Sequence, residues 1–270
     1  MRNPLLSIGA ALVLLLAVCA ATATWIAPYD PNGQDILARL SGPSAAHWLG
    51  TDNFGRDVAS RILAGLRVLF AVSSVSVLAA LLLGGTIGIV AAWRGGWTER
   101  VAMRLMDVFF AFPIILLAIG VVAVLGPGVI GTAIAIGVVY TPIFARSLRA
   151  PARLLLASDY VEAARATGAG TRRILLRHLL PNLAPVILVQ ASLSLSTAML
   201  VEASLSFLGL GTQPPTASLG RMLAESRAFM ALSPWPALFS GLAILVAAFG
   251  FNLLGDGLQD RLDPRLRGRS

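Results

Sequence analysis

The segment 68–93, VLFAVSSVSVLAALLLGGTIGIVAAW, contains no charged residue. A helix needs about 20 apolar residues to cross the hydrocarbon core of a bilayer, and this run is long enough. The composition of the whole chain agrees, because 57% of its 270 residues are hydrophobic, only 13% are charged, and the mean hydropathy is +0.80. A soluble core of this size needs much less apolar surface, so the segment indicates a membrane protein.

Further apolar runs lie on both sides of this segment. Residues 5–27, 183–201 and 235–254 are each long enough for one span, and the charge-free run 108–145 is too long for one. Gly126-Pro127-Gly128 divides that run into two spans, because adjacent Gly and Pro strongly favour a turn. The sequence therefore predicts an all-α polytopic membrane protein with six transmembrane helices.

The arginines indicate the orientation of these spans. All 21 basic residues are arginine, and 15 of them lie in the segments 1–4, 94–104, 146–182 and 256–270. Basic residues are retained on the cytoplasmic side during insertion, so these four segments and both chain termini are predicted to be cytoplasmic. The net charge of +8 is then a signal of topology, and nucleic acid is not expected as a partner.

The first span has some features of a processed segment. LLLAVC, which ends at Cys19, loosely resembles a lipoprotein signal, and ATA at 21–23 resembles a signal-peptidase site. Removing this span would place the new N-terminus outside, so we expect it to be retained as a membrane helix. The predicted organisation is an N-terminal helix with a long extracytoplasmic segment, 1–67, followed by a five-helix core, 68–270.

Residue types that support catalysis or metal binding are scarce. Cys19 is the only cysteine, and His47 and His178, the only histidines, lie far apart in the sequence. These counts argue against a disulfide framework, a thiolate metal site or a Ser-His triad. The chain also lacks the phosphate-binding pattern GxxxxGK[ST] and has no lysine to complete one. We therefore predict no catalytic residue, no metal site and no cofactor bound by this chain.

The long predicted cytoplasmic segment 146–182 contains a basic stretch, EAARATGAGTRRILLRHLLPN, at 162–182. Asp159 is placed to cap a helix whose Glu162 reaches back to the cap, as in a capping box. The alanines of this helix, among them Ala163 and Ala164, have short side chains. They leave a shallow face that another protein surface can approach closely.

The second half of this stretch predicts a bend and another short helix. Gly168 is placed to end the first helix in a left-handed conformation, which other residues avoid. Thr171 is then expected to cap a second helix, which Pro181 ends before the next span. The residues alone leave two interpretations open: an amphipathic pair held by lipid headgroups, or a surface for a partner protein.

Several motifs of the chain occur in a fixed order. The basic stretch contains Glu162-Ala163-Ala164, then Gly168 six residues after Glu162, then Ile174 and Leu180-Pro181. The others are LGTDNFGRDVASRILAGLR at 49–67, MRLMDVFFAFP at 103–113, EASLSFLGLG at 202–211 and FNLLGDGLQDRLDPR at 251–265. In this order they resemble the second permease subunit of dipeptide, oligopeptide and nickel ABC importers, in which the first motif is the EAA loop.

The resemblance implies the type I ABC importer permease fold and a role as half of a translocation pathway. In that family the EAA loop docks on a cytoplasmic ATPase and transmits its closure to the membrane helices. By resemblance, the ATPase-coupling residues are Asp159, Glu162, Ala163, Ala164, Gly168, Ile174, Leu180 and Pro181. The implied partners are a sister permease subunit, one or two ATPase subunits that bind ATP-Mg, an extracytoplasmic solute-binding protein and the lipid of a bacterial plasma membrane.

The solute follows less directly from the motifs, which peptide and nickel permeases share. Soft or imidazole ligands suit nickel, and this chain offers one cysteine and two histidines without clustering. We therefore predict short peptides, with nickel or another chelated solute as the alternative. The candidate pathway-lining residues are Ser192, Ser194, Ser196, Thr197 and Glu202, although the hydroxylated ones are equally suited to helix packing.

The remaining polar and small residues of the spans favour structural roles. Asp107, Glu202 and Asp256 lie at or near predicted span ends, where charge is less costly than at the bilayer centre. Gly84 and Gly88 form a small-xxx-small pair that suits close helix packing, within this chain or against a sister subunit. A proton-coupled carrier would need midplane carboxylates and inverted repeats, and a scaffold would need no capped cytoplasmic helices. Of the three functions considered, the ABC importer permease, the proton-coupled carrier and the scaffold, only the first requires association with an ATPase.

Overall fold

The computed structural model describes residues 4–262 of the chain. The two predicted cytoplasmic termini and the end of the 251–265 motif lie outside the described residues. The part that is described is almost entirely helical and contains no β-strand, apart from an isolated bridge between Thr51 and Asp57. The α-helices are α1 (Pro4–Ile26), α2 (Val58–Arg94), α3 (Gly96–Phe110), α4 (Ile114–Leu125), α5 (Val129–Leu156), α6 (Asp159–Ala166), α7 (Thr171–Arg173), α8 (Leu180–Phe207), α9 (Leu219–Ser226) and α10 (Trp235–Leu262).

Five helices are long and apolar enough to cross a membrane, and the sixth predicted span is a broken one. The long helices are α1, α2, α5, the continuous helix Thr171–Phe207 and α10. In the sixth, α3 and α4 together have the required length but meet at an angle of 93°. Proline disfavours a helical conformation of the residue before it, so the chain breaks at Phe112-Pro113. The predicted number of six is reached when this bent pair is counted as one membrane element, and α4, with 12 residues, is too short to cross the bilayer by itself.

Most spanning helices extend beyond their predicted apolar runs. The second span was expected from Val68, but α2 begins at Val58, where the Asp57 side chain accepts a hydrogen bond of 2.8 Å from the Ser60 N–H. At its other end, α5 continues from the apolar run to Leu156. Hydropathy marks only the part of a helix that lies in lipid, whereas backbone hydrogen bonds continue into the aqueous layer. The proposed division between 1–67 and 68–270 falls within α2 and stays a prediction.

The centre of the fold is the contact between α2 and α5. A Cβ atom on Gly84 would lie 2.1 Å from the Thr141 carbonyl oxygen, and one on Gly88 would lie 2.3 Å from that of Ala145. The two backbones therefore touch along this line, and the predicted small-xxx-small pair is confirmed as packing within the chain. Large side chains of α5, including Ile136, complete the buried core around it.

At each end of the helix bundle, hydrogen bonds and ion pairs hold the segments that connect the spanning helices. At one end, Arg56 of segment 28–57 donates a 3.1 Å hydrogen bond to Glu225 of α9. At the other end, Glu99 of α3 pairs with Arg149 and Arg153 of α5. The first end carries the segments predicted to be extracytoplasmic, and the second carries those predicted to be cytoplasmic.

The orientation of the bundle is testable with single cysteines in a Cys19→Ser background. Gly33 and Thr216 are exposed at the Arg56 end, and Gly170 is exposed at the Glu99 end. We expect Gly33→Cys and Thr216→Cys to react in intact cells with an impermeant thiol reagent, and Gly170→Cys to react only after the cells are permeabilised. Reaction of Gly170→Cys from outside intact cells would reverse the orientation.

Candidate functional site

The first short helix of the basic segment, α6, begins at Asp159, so its N-cap lies one residue before the predicted one. Ser158 is the N-cap residue, and its carbonyl oxygen accepts the N–H groups of Val161 and Glu162 at 3.0 and 3.1 Å. The capping box from Asp159 and Glu162 is therefore wrong. The Ser158 hydroxyl donates to the Leu155 carbonyl oxygen, so no side chain caps the helix. Both acidic residues instead lie in the first turn, where negative charge complements the helix dipole.

The C-terminus of α6 forms the predicted left-handed bend. Gly168 has φ +83°, in the region that favours glycine. Its N–H donates to the Arg165 carbonyl oxygen at 2.9 Å, and the Ala169 N–H donates to that of Ala164 at 3.0 Å. This pair of bonds is a Schellman motif, which satisfies carbonyl groups that would otherwise lack partners. The prediction for Gly168 is confirmed.

The second short helix differs from its prediction at both ends. Gly170, and not Thr171, is the N-cap residue, and Thr171 is the first residue of α7. Pro181 does not end the helix, because α7 continues through a π-helix, Ile174–Leu179, into α8. In the wide turn, the Leu180 N–H donates to the Leu175 carbonyl oxygen, five residues back. This change of hydrogen-bond register comes just before Pro181, which has no N–H to donate, and the helix passes through the proline.

The segment is fixed to the ends of three spanning helices. Val161, Ile174 and Leu179 are fully or almost fully buried, and Leu179 packs with Ala152 of α5. The guanidinium of Arg165 lies 5.1 Å from the ring centroid of Trp93, near the end of α2. The segment is therefore in direct contact with α2 and α5 and continues without a break into α8.

The opposite face of the segment is open. We call residues 159–180 the EAA surface. Of the predicted coupling residues, Ala164 is half-buried, Ile174 is buried, and the others are exposed: Asp159, Glu162, Ala163, Gly168, Leu180 and Pro181. Ile174 thus anchors the surface from within, and its coupling role, like that of the others, stays a prediction.

Sequence reasoning missed the apolar side chains on and beside this surface. Tyr160 and Leu176 are exposed by 43% and 53%, and Leu154, at the end of α5, is exposed by 76%. They lie among arginines, so the local hydropathy of the segment gave no signal. For Leu176, the position relative to Ile174 would have given one, because residues two apart on a helix lie on nearly opposite sides of it.

The candidate pathway residues of α8 lie mostly inside the chain. Ser192 and Ser196 are buried, and their hydroxyls donate to the carbonyl oxygens of Leu188 and Ala248 at 2.9 and 2.7 Å. The buried Ser194 hydroxyl accepts a 3.2 Å bond from Gln190.

Thr197 and Glu202 differ sharply in exposure. Thr197 is exposed, whereas Glu202 is buried and accepts a 2.8 Å hydrogen bond from the Ser206 hydroxyl. Asp107 is exposed and pairs with Arg146, and Asp256 is exposed. Pathway lining by the four hydroxylated residues and Glu202 stays a prediction.

Comparison with known proteins decides the class of the chain. A family model described as the inner membrane component of binding-protein-dependent transport systems matches residues 84–268, which include the whole EAA surface. The chain belongs to this family. A second model, the N-terminal transmembrane domain of oligopeptide transport permease C, matches residues 1–43. The predicted relationship to ABC importer permeases is confirmed, and the chain is a membrane-spanning transport permease and not an enzyme.

Individual relatives of this permease are similar over nearly its whole length. A glutathione transport system permease protein, GsiD, of Pectobacterium atrosepticum is 46% identical over 256 residues, which cover 94% of this chain and 85% of the relative. A dipeptide transport system permease protein, DppC, of Alkalihalophilus pseudofirmus is 42% identical over 269 residues, covering 98% and 88%.

A solved structure confirms the fold of this permease. It is that of the methionine ABC transporter MetNI in an inward-facing conformation. One of its chains matches with a TM-score of 0.62 and 18% identity, over 75% of this chain and 96% of its own. The predicted importer-permease fold is therefore confirmed.

Proposed function

We propose that this permease imports short peptides, and that it is driven by a cytoplasmic ATPase that docks on the EAA surface. The observation that carries the proposal is the combination of an exposed α6 with a buried attachment to three spanning helices. An element of this kind receives a displacement from a partner and transfers it to the membrane helices. The short side chain of Ala163 leaves room for close approach of the partner.

The driving energy comes from another polypeptide in this proposal. Closure of two ATPase subunits on binding ATP brings two EAA surfaces together, one from this chain and one from a sister permease. The closed arrangement then favours the state of the permease pair that opens outward, which is a shift in a conformational equilibrium. The contacts of residues 159–180 with the ATPase supply the difference in free energy between the two states.

The substrate class is supported by two observations. The two relatives described above are named as permeases for glutathione and for dipeptides, which are both short peptides. Among residues 4–262, no group of three His, Cys, Asp or Glu residues is placed to hold a metal ion. A peptide needs a roomy, modestly polar path, and selection among peptides is left to a solute-binding protein at the Arg56 end of the bundle.

Location in a bacterial inner membrane, with both termini cytoplasmic, belongs to the same proposal.

The substrate proposal is tested by uptake in cells with and without this chain. We expect deletion to abolish the saturable uptake of a labelled dipeptide or of labelled glutathione, and re-expression of the chain to restore it. Uptake of radioactive nickel, measured in the same cells, should not change. Loss of nickel uptake with unchanged uptake of both peptides would contradict the proposal and favour a metal-chelate permease.

A further inference from the structure

Helix α3 carries an exposed apolar stripe that the transport role leaves unexplained. Trp97, Val101, Leu105 and Val108 follow one another at intervals of three or four residues, which places them on one side of the helix. Their exposed fractions are 72%, 39%, 58% and 59%. Met106, on the other side, is buried against the bundle.

The orientation of α3 differs from that of the spanning helices. Its neighbour α4 packs against the spanning helix α5, and its residues Ala118 and Val122 are buried in that contact. Because α3 is bent by 93° from α4, it runs across the end of the bundle. An amphipathic helix with this arrangement is suited to lie in the plane of the membrane surface, where its exposed apolar stripe would be at the depth of the lipid headgroups and upper acyl chains.

A basic pocket borders the stripe. It has a volume of about 350 Å³ and is lined by Glu99, Arg100, Met103, Arg104, Asp107, Arg149 and Arg153. Four guanidinium groups thus face two carboxylates. Glu99 is paired with Arg149 and Arg153, and Asp107 is paired with Arg146 from outside the pocket.

Two arginines of the pocket are not engaged by these carboxylates. The Arg100 Nε donates a 3.4 Å bond to the Gly96 carbonyl oxygen and its guanidinium lies 5.6 Å from the Trp97 ring centroid, and Arg104 has no ion-pair partner among residues 4–262. The planar guanidinium donates paired hydrogen bonds that match the oxygen atoms of a phosphate. The pocket therefore carries positive charge and free donors beside the exposed apolar stripe.

We propose that α3 is an interfacial helix and that Arg100 and Arg104 bind the phosphate of an anionic phospholipid in the leaflet at this end of the bundle. The apolar stripe contacts the acyl chains, and the pocket receives the headgroup. Charge complementarity selects an anionic lipid, because a zwitterionic headgroup brings a cation into a pocket that already holds four guanidinium groups.

The test measures lipid bound to the full-length chain, together with the subunits that purify with it. Native mass spectrometry would count phosphatidylglycerol retained after extraction from nanodiscs that contain equal amounts of phosphatidylglycerol and phosphatidylcholine. We expect preferential retention of phosphatidylglycerol, and in the double variant Arg100→Gln/Arg104→Gln on the order of a tenfold weaker binding. A control variant, Arg39→Gln/Arg227→Gln, removes the same charge from exposed positions at the other end and should retain normal binding.

A second measurement reports the position of the helix itself. In a Cys19→Ser background, a spin label on Leu105→Cys should be accessible to oxygen dissolved in the lipid and inaccessible to a water-soluble relaxation agent. Three results would overturn the proposal: no preference for phosphatidylglycerol, unchanged preference in the Arg100→Gln/Arg104→Gln variant, or a label shielded from both reagents. The last result would mean that another subunit covers the stripe.

Discussion

Replacing Gly168 by valine is expected to reduce peptide uptake at least tenfold while the permease still inserts and accumulates. Gly168 has φ +83°, and a β-branched residue is strained in that conformation by about 1–3 kcal/mol. A Cβ atom at this position meets no other atom within 4 Å, so the added Cβ causes no clash and the strain arises in the backbone. The Schellman bend is lost, and the orientation of α6 relative to α8 changes with it. Uptake of labelled peptide and the amount of permease in the membrane are measured together.

The chain offers matched controls for this variant. Gly170→Val introduces the same side chain two residues later, also without a neighbour within 4 Å, but Gly170 has an ordinary φ of −68°. It should retain most of the uptake. Asparagine tolerates left-handed backbone better than valine does, so Gly168→Asn should be intermediate. Equal uptake by all three variants would remove the bend from the coupling mechanism.

The second large effect is expected in the membrane core, where Gly84→Leu should prevent stable folding. Its Cβ would lie 2.1 Å from the Thr141 carbonyl oxygen, and neither backbone has room to move without separating α2 from α5. Overpacking of this kind costs about 3 kcal/mol or more. We expect little folded permease in the membrane, as measured by fluorescence-detected size-exclusion chromatography before and after heating.

Gly120→Leu provides the comparison, because it also adds leucine to a helix of the membrane region. No atom lies within 4 Å of a Cβ at Gly120, so this variant should accumulate and melt like the unmodified chain. Normal accumulation of Gly84→Leu would contradict the close contact of α2 with α5. Failure of both variants would show that any added bulk in these helices is harmful, and the contact would lose its support.

The sequence was most informative where one residue type has one physical meaning. Apolar length located the spans, because only the bilayer requires such runs. Gly168 and the pair Gly84 and Gly88 were correctly interpreted because a positive φ and a backbone contact both require the absence of a side chain. The EAA surface was identified in another way, by resemblance to a family, because the residues alone left a helix pair held by lipid headgroups equally open.

The wrong predictions concern the ends and the breaks of helices. Aspartate is a common N-cap residue, so Asp159 was predicted to cap α6. In the structure Ser158 occupies the N-cap position, and its hydroxyl donates a hydrogen bond to the Leu155 carbonyl oxygen. Pro181 normally ends a helix, yet a π turn shifts the hydrogen-bond register before it. The break at Pro113 was missed because hydropathy does not register the direction of a helix. Pathway lining by the serines of α8 is untested and is not among these errors; the fold adds that Ser192, Ser194 and Ser196 are buried.

The central claim, that an ATPase acts on this permease through the EAA surface, is tested most directly by site-specific photocrosslinking in native membranes. Benzoylphenylalanine in place of Ala163, which is exposed, is expected to crosslink to a polypeptide that carries a GxxxxGK[ST] motif, identified by mass spectrometry. The same group at Leu37, which is 98% exposed at the opposite end of the bundle, should not capture it. A crosslink from Ala163 to lipid alone, with normal peptide uptake, would contradict the account.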